Sequence, residues 1–203
     1  MLSVDKLRNI VEAALFAAST PLDLDRLAAL FDETERPSRA TLRSVLDELR
    51  RHYDGHGIEL VEVASGYRFQ VLNGLAPWIS RLWEQRPPRY SRALLETLAL
   101  IAYRQPITRA EIEEVRGVAV STHIIRTLEE RQWIRALGHR DVPGRPTLYG
   151  TTRRFLDYFN LSSLNELPTL AEIRDLDEVA RELEKTLENT ENAKPGGNGD
   201  AIG

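Results

Sequence analysis

The residues that most often hold metals or attack substrates are scarce in this sequence. It contains no cysteine, which excludes disulfides, cysteine zinc sites and thiol nucleophiles. Its four histidines are His52, His56, His123 and His139. None of them belongs to an HExxH motif or to a comparable metal-ligand spacing. We therefore expect no metal site and no cysteine chemistry.

Carboxylates and glycine-rich loops also form no catalytic pattern. Glu111, Glu113 and Glu114 are close in sequence, but successive residues on a helix point about 100° apart, so these side chains do not converge. We interpret them as a solvated face. The segment GRPTLYG at residues 144–150 has neither the GK[ST] nor the GxGxxG register of a phosphate-binding loop. The sequence predicts a protein that is not an enzyme and binds no cofactor.

Residues 91–152 predict three short helices followed by two extended strands, the order of elements in a winged helix-turn-helix. Ser91 can cap the first helix, and Pro106 ends it because proline has no amide donor. Thr108 opens the second helix as part of a capping box, and Gly117 closes it. Each boundary therefore has a local cause.

A hairpin follows the third helix of this segment, which Ser121 opens. Residues 133–137 favour a strand, residues 141–146 form a stiff tip rich in proline and glycine, and residues 147–149 return as the second strand. This hairpin is the predicted wing.

The same order of elements recurs earlier in the chain. Residues 11–22, VEAALFAASTPL, align with residues 95–107, LETLALIAYRQPI, and both end in a helix-breaking proline. A short second helix, a third helix opened by Ser38 and a hairpin at residues 58–71 follow. We interpret the chain as mainly α with small β-hairpin wings, built as two tandem winged helix-turn-helix domains with an extended acidic C-terminal segment.

Composition divides the chain further. Consecutive prolines suggest a stiff linker, and the end of the chain is rich in glycine, asparagine and charge, which favours disorder. The predicted parts are a first winged-helix domain at residues 1–84, a Pro-rich linker at 85–90, a second winged-helix domain at 91–160, an acidic helical segment at 161–187 and a disordered tail at 188–203.

Charge is spread unevenly over a chain of net charge −4. Residues 1–90 carry net −1, residues 91–160 net +3 and residues 161–203 net −6. DNA-binding domains usually carry a larger basic excess, because neutralising phosphates supplies most of their affinity. DNA is therefore expected to be a weak or indirect partner at most. No apolar run is long enough to cross a bilayer, so we expect no membrane contact and a cytoplasmic protein.

Some apolar side chains lie off the core stripes of their helices. On a helical wheel, Leu100 and Tyr103 fall outside the arc that holds Leu94, Leu98 and Ile101. Phe16, the counterpart of Leu100, points away from the stripe of the first helix in the same manner. Either a neighbouring helix or the linker covers these side chains, or they belong to an interface with a second subunit or a partner.

The second copy closely resembles the segregation and condensation protein B family, the accessory subunits of the bacterial condensin-like complex. The resemblance rests on LETLALIAYRQPITRAEIEEVRGV, RTLEERQWI and DVPGRPTLYGTTRRFLDYFNLSSLNELP, which together span most of residues 95–168. It implies tandem winged helices, a homodimer formed through the N-terminal part, and a grip on the kleisin subunit, segregation and condensation protein A. Through the kleisin, which bridges the heads of an SMC ATPase, it implies a role in chromosome condensation and segregation during cell division, at the nucleoid.

These considerations define the expected sites. Phe16 is expected at the dimer interface. The surplus apolar positions and the proline-stiffened wing predict that the second domain holds the kleisin. Its partner-binding residues would be Leu100, Tyr103, Arg145, Pro146, Leu148 and Tyr149. The alternative function is that of a winged-helix transcription regulator that binds DNA.

Overall fold

The computed structural model describes residues 3–82, 90–167, 181 and 183–187. These residues fall into two compact units, with residues 3–82 in the first and the others in the second. Most of the predicted linker, the centre of the predicted acidic segment and all of the predicted tail lie outside the described residues. Both units are mainly helical and carry small antiparallel sheets, as the sequence predicts.

The first unit has three helices and then an antiparallel hairpin. After the hairpin the structure has one short helix between two 3₁₀ turns, Asn73–Leu75 and Ser80–Leu82. Pro77 at its start restricts the backbone there. The elements are α1 (Val4–Ala17), α2 (Leu24–Ala28), α3 (Arg39–His52), β1 (Ile58–Val63), β2 (Gly66–Val71) and α4 (Ala76–Ile79).

Side-chain caps and one glycine organise this first unit. Ser38 caps α3 by accepting a hydrogen bond from the amide of Thr41. The hairpin is fastened to the loop before α2 by reciprocal backbone hydrogen bonds between Leu22 and Tyr67, each 2.9 Å long. Gly66 has φ +131°, and a Cβ there would collide with the backbone of Leu22, so this approach requires glycine.

The second unit repeats this order with additions. A two-residue strand that the sequence analysis did not predict joins the hairpin, so the sheet has the order β3-β5-β4 with antiparallel pairing throughout. The elements are α5 (Arg92–Arg104), β3 (Ile107–Thr108), α6 (Arg109–Arg116), α7 (Thr122–Glu130), β4 (Ile134–His139), β5 (Thr147–Thr151), α8 (Arg153–Tyr158) and a 3₁₀ turn (Leu164–Glu166).

The predicted helix boundaries of this unit are confirmed. Ser91 caps α5, whose last helical residue is Arg104. Thr108 and Glu111 form both hydrogen bonds of a capping box at α6. Gly117 ends α6 in the left-handed conformation with φ +69°.

Helix α5 is the centre of the second unit and is buried on nearly all sides. It packs against α6, α7 and β5, and eight of its residues from Leu94 to Ala102 are buried. Trp133, Phe155 and Phe159 extend the same core. Residues 183–187 are helical, and Leu183 and Leu187 are buried in this core too. The apolar core of the second unit therefore includes side chains from outside its first three helices and its hairpin.

Candidate partner-binding surfaces

Three aromatic rings form a patch on the first unit. Helix α1 buries Leu7, Val11 and Leu15, and because the next residue lies about 100° further round the helix, Phe16 points away and is 52% exposed. Its ring stacks on Phe69 at a centroid distance of 4.3 Å and meets Tyr53 edge-on at 6.0 Å. We call Phe16, Tyr53 and Phe69 the aromatic patch. The predicted exposure of Phe16 is present in the structure.

A polar contact anchors the aromatic patch. The hydroxyl group of Tyr53, at the end of α3, donates a hydrogen bond to the carboxylate of Glu12 on α1. This hydrogen bond, together with burial, raises the pKa of Tyr53 to about 12. The contact thus holds the Tyr53 ring between α1 and α3, beside the rings of Phe16 and Phe69.

The expectation that Leu100 lies at the surface is wrong. Leu100 is 2% exposed and belongs to the core of the second unit, whereas its counterpart Phe16 is 52% exposed. The helical wheel of α5 was interpreted for a domain that contains only three helices and a hairpin. It missed an additional apolar layer, since α8 and the residues Leu183 and Leu187 contribute to the cluster that contains Leu100. In the first unit, α4 adds no residue to the core cluster, as far as the chain is described.

Tyr103 and Tyr149 are half-buried and pack against the core of the second unit. Burial is the largest cause that raises the pKa of Tyr149. Because α5 packs against β5, the helix that carries Leu100 and Tyr103 adjoins the strand that carries Leu148 and Tyr149. The two groups of predicted residues therefore lie on neighbouring elements, where Tyr103, Leu148 and Tyr149 are half-buried and Leu100 is buried.

The tip of the β4–β5 hairpin, residues 140–146, is held in a defined shape. The amide of Arg140 donates to the carbonyl of Pro146, and the amide of Arg145 donates to the carbonyl of Val142, both at 2.9 Å. Arg145 is exposed and has φ +39°, a left-handed conformation that is uncommon outside glycine. The tip therefore presents Arg145 on an ordered turn.

One glutamate fastens this tip to α6. Glu111 accepts hydrogen bonds from Thr108 in the capping box and forms an ion pair of 2.9 Å with Arg140. The Thr108 amide is the largest cause that lowers the pKa of Glu111, and Arg140 contributes to the same shift. Glu113 accepts from the amide of Val120 and pairs with Arg109. The interpretation as a solvated face is therefore wrong for Glu111 and Glu113, which have structural partners, whereas Glu114 is exposed as expected.

The outer face of the same hairpin carries an apolar pair that the sequence analysis missed. Leu148 is half-buried on β5, and Leu137, which lies at the β-bulge of β4 between Ala136 and Gly138, is 45% exposed. A Cβ on Gly150 would lie 2.6 Å from Cδ1 of Leu137 and 2.8 Å from Oε1 of Gln105, so the glycine makes room for both side chains. Leu137 therefore lies over the face of β5 to which Leu148 points. The position of Leu137 could not be predicted from the sequence, because the bulge breaks the alternation of side chains along β4.

A shallow groove of about 560 Å³ lies where α7, β4 and the start of α8 meet. Arg135, Arg153 and Arg154 line it together with one carboxylate, that of Glu129. Arg154 is oriented by a 2.7 Å hydrogen bond that it donates to the side chain of Gln132. The charged side chains that line the groove thus sum to a net positive charge.

Within residues 3–82, 90–167 and 183–187, no three histidine or acidic side chains gather closely enough to hold a metal ion. Among the helices of the described part of the chain, none is long and apolar enough to cross a membrane.

The fold and its surfaces define a mainly helical protein of two small units whose most distinctive exposed features are apolar and suited to binding other polypeptides. Residues 9–170 match the family model described as segregation and condensation complex subunit ScpB. The chain belongs to this family.

Curated relatives agree with that assignment. A segregation and condensation protein B homolog of Coxiella burnetii is 56% identical over 178 residues, covering 88% of this chain and 85% of the relative. The segregation and condensation protein B of Syntrophotalea carbinolica is 45% identical over 180 residues, covering 88% and 89%. A crystal structure of ScpB from Mycobacterium tuberculosis is 35% identical, with a TM-score of 0.38 over 79% of this chain and 99% of that one. The resemblance noted in the sequence is confirmed.

Proposed function

We propose that this protein is a non-enzymatic accessory subunit of the bacterial condensin-like complex, which binds the kleisin subunit as a homodimer and supports chromosome condensation and segregation. The observation that carries the proposal is the family match over residues 9–170. On this proposal the two units are winged-helix domains, and the protein reaches the SMC ATPase through the kleisin, in the cytoplasm at the nucleoid. The first unit dimerises and the second holds the kleisin.

The aromatic patch supports dimerisation through the first unit. Aromatic side chains are enriched at the centres of protein interfaces relative to the rest of the protein surface. Phe16 and Phe69 are already stacked, so few rotamers need to be fixed on association. In a dimer with a twofold axis through the aromatic patch, the patch of one protomer would contact the same patch of the other.

Phe16→Glu is expected to convert the dimer to a monomer without loss of helical structure, because it places a charge in the patch but leaves the α1 core stripe intact. Sedimentation velocity and circular dichroism measure the two properties. Val4→Glu is the matched control, since Val4 is an exposed apolar residue of the same helix, at 67%. A Phe16→Glu dimer as stable as the wild type would remove the patch from the interface.

The proposed kleisin surface lies on the second unit around the β4–β5 hairpin. It consists of Tyr103, Arg145, Pro146, Leu148 and Tyr149, with Leu137 added and Leu100 lying beneath as core. The leucine pair offers an apolar contact on a face whose backbone is fixed by the sheet, and Arg145 offers a cation to a partner carboxylate. A pre-ordered surface of this kind binds an extended or helical segment at little conformational cost.

Leu137→Ser/Leu148→Ser is expected to weaken binding of a central kleisin fragment by more than about tenfold, since central apolar contacts typically cost about 2 kcal/mol each on truncation. Titration calorimetry with the kleisin fragment from the same bacterium measures the affinity. Val115→Ser/Val118→Ser is the matched control, because these two valines are exposed apolar residues of the same unit outside the hairpin, at 37% and 56%. Equal affinities of the two folded variants would place the kleisin elsewhere.

The alternative, a DNA-binding winged helix, gains support from the groove that contains Arg135, Arg153 and Arg154. It is weakened by the pairing of other arginines in the same unit, because ion-paired arginines are less available to phosphates. These pairs include Arg109 with Glu113, Arg116 with Glu96, Arg126 with Glu130 and Arg140 with Glu111. Strong, salt-dependent binding of the isolated protein to random duplex DNA would favour this alternative.

A further inference from the structure

The last described segment of the first unit has one buried side and one apolar, exposed side. On the inner side, Ala76 is 1% exposed and Ile79, three residues further on, is half-buried. Leu75, Trp78 and Leu82 are 38%, 62% and 73% exposed. They are three and four residues apart in a run of short helical turns, so they point to one side, away from Ala76. We call these three residues the apolar ridge.

The apolar ridge begins close to the aromatic patch. A Cβ on Gly57 would lie 3.3 Å from Cδ1 of Leu75, and the amide of Leu72 donates a hydrogen bond of 3.1 Å to the carbonyl of Gly57. The residue before this glycine is His56, whose ring lies 5.5 Å from the ring of Tyr53, measured between centroids. Leu75 therefore adjoins the loop that contacts the patch, and the two apolar surfaces are neighbours on the first unit.

The aromatic patch is too small to hold a dimer by itself. An aromatic side chain can bury about 150–250 Å², so Phe16 at 52% exposure offers about 100 Å² and the three rings together about 250 Å². A stable interface takes about 800 Å² from each partner, of which roughly 520 Å² is apolar in homodimers. Trp78 offers about 150 Å² more, and the two leucines of the ridge about 100 Å². Patch and ridge together thus supply about 500 Å², close to what a homodimer needs.

We propose that the apolar ridge completes the dimer interface of the first unit, and that the surface it contacts is the first unit of a second copy of this chain. The inference rests on the proposed function, because it takes the homodimer as given and names the residues that extend its interface beyond the aromatic patch. Twofold symmetry lets both protomers bury their ridges in the same contact. Trp78 contributes most, since tryptophan is enriched among the residues that dominate binding energy.

Trp78→Ser/Leu82→Ser is expected to raise the dissociation constant of the dimer at least about tenfold, because it truncates two apolar contacts in each protomer. Sedimentation velocity over a dilution series measures this constant, and circular dichroism checks the fold. Val4→Ser/Leu30→Ser is the matched control, since it removes two exposed apolar side chains of the same unit, at 67% and 51%, and keeps the ridge. A ridge variant that dimerises as tightly as the control overturns the proposal.

Thiol labelling tests the same surface without truncating the ridge. The chain has no cysteine, so Arg81→Cys introduces a single thiol three residues after Trp78, at a position that is exposed in the first unit. With excess maleimide, labelling is expected to be about tenfold slower where nine tenths of the chains are dimeric than after dilution to monomers. Leu30→Cys, the control, should label at one rate at both concentrations. Equal rates for Arg81→Cys overturn the proposal: fast labelling leaves the ridge free in the dimer, and slow labelling places its cover within its own chain.

Failure of this inference and failure of the proposed function give different results. A wild type that stays monomeric at all concentrations contradicts the proposed homodimer and the ridge contact with it. A wild-type dimer in which the thiol at position 81 remains accessible contradicts the ridge contact alone. If Phe16→Glu remains dimeric while the ridge variant dissociates, the aromatic patch is removed from the interface and the apolar ridge stays in it.

Discussion

Leu100→Ala is expected to lower the free energy of unfolding of the second unit by about 2–5 kcal/mol, the range typical of removing a buried leucine from a close-packed core. Leu100 is 2% exposed, so its truncation leaves a cavity among side chains of the α5 core. Phe16→Ala, at the equivalent position of the first unit, is expected to cost about 1 kcal/mol or less, since Phe16 is 52% exposed and loses mainly its contact with Phe69.

Urea denaturation can assign each loss to its own unit. Trp133 is 1% exposed in the second unit and packs against Tyr158 and Phe159, so its fluorescence reports unfolding there. Trp78→Phe/Trp83→Phe leaves Trp133 as the single tryptophan of the chain. Measurements of Phe16→Ala belong at concentrations where the protein is monomeric, because loss of a dimer would also lower the apparent stability. A cost below about 1 kcal/mol for Leu100→Ala would contradict its burial.

Local signals made the helix boundaries predictable. Ser91, Thr108 and Gly117 act within one helical turn of their own positions, so the sequence around each contains the interaction that stops or starts the helix. Contacts between residues that are distant in sequence could not be predicted in this way. Glu111 pairs with Arg140, which lies 29 residues away, and sequence spacing alone did not reveal this contact. The additional strand β3 likewise depends on pairing with β5.

The candidate sites were predictable where exposure depends on a single helix. Phe16 is exposed because the stripe of α1 does not include it, and the helical wheel contains that information. Leu100 occupies the same place on its wheel but is buried in a core cluster to which residues later in the chain, including Phe155 and Leu183, also contribute. A wheel cannot indicate whether a second layer exists. For that reason the same reasoning was right for one residue and wrong for the other.

A buried ion pair joins α5 to α6 in the second unit. Nη2 of Arg116 lies 2.8 Å from Oε2 of Glu96, and the two side chains are 8% and 18% exposed. Nε of Arg116 is buried and has no hydrogen-bond partner among the described residues, so Glu96 provides the main compensation for this charge. Glu96 also accepts from Arg92, which is 63% exposed and can turn to water if the carboxylate is lost.

Glu96→Gln is therefore expected to lower the stability of the second unit by about 2–4 kcal/mol, because it leaves the arginine charge buried and poorly compensated while it preserves the shape of the side chain. Glu130→Gln breaks the exposed pair with Arg126, in which both side chains are more than half exposed, and is expected to cost about 0.5 kcal/mol or less. In the double variant Glu96→Leu/Arg116→Met both charges are removed, so most of the loss should be recovered. The same urea titration with Trp133 as the reporter compares the three chains. Equal costs for Glu96→Gln and Glu130→Gln would show that Arg116 reaches water, and a double variant no more stable than Glu96→Gln would assign the loss to packing instead of charge.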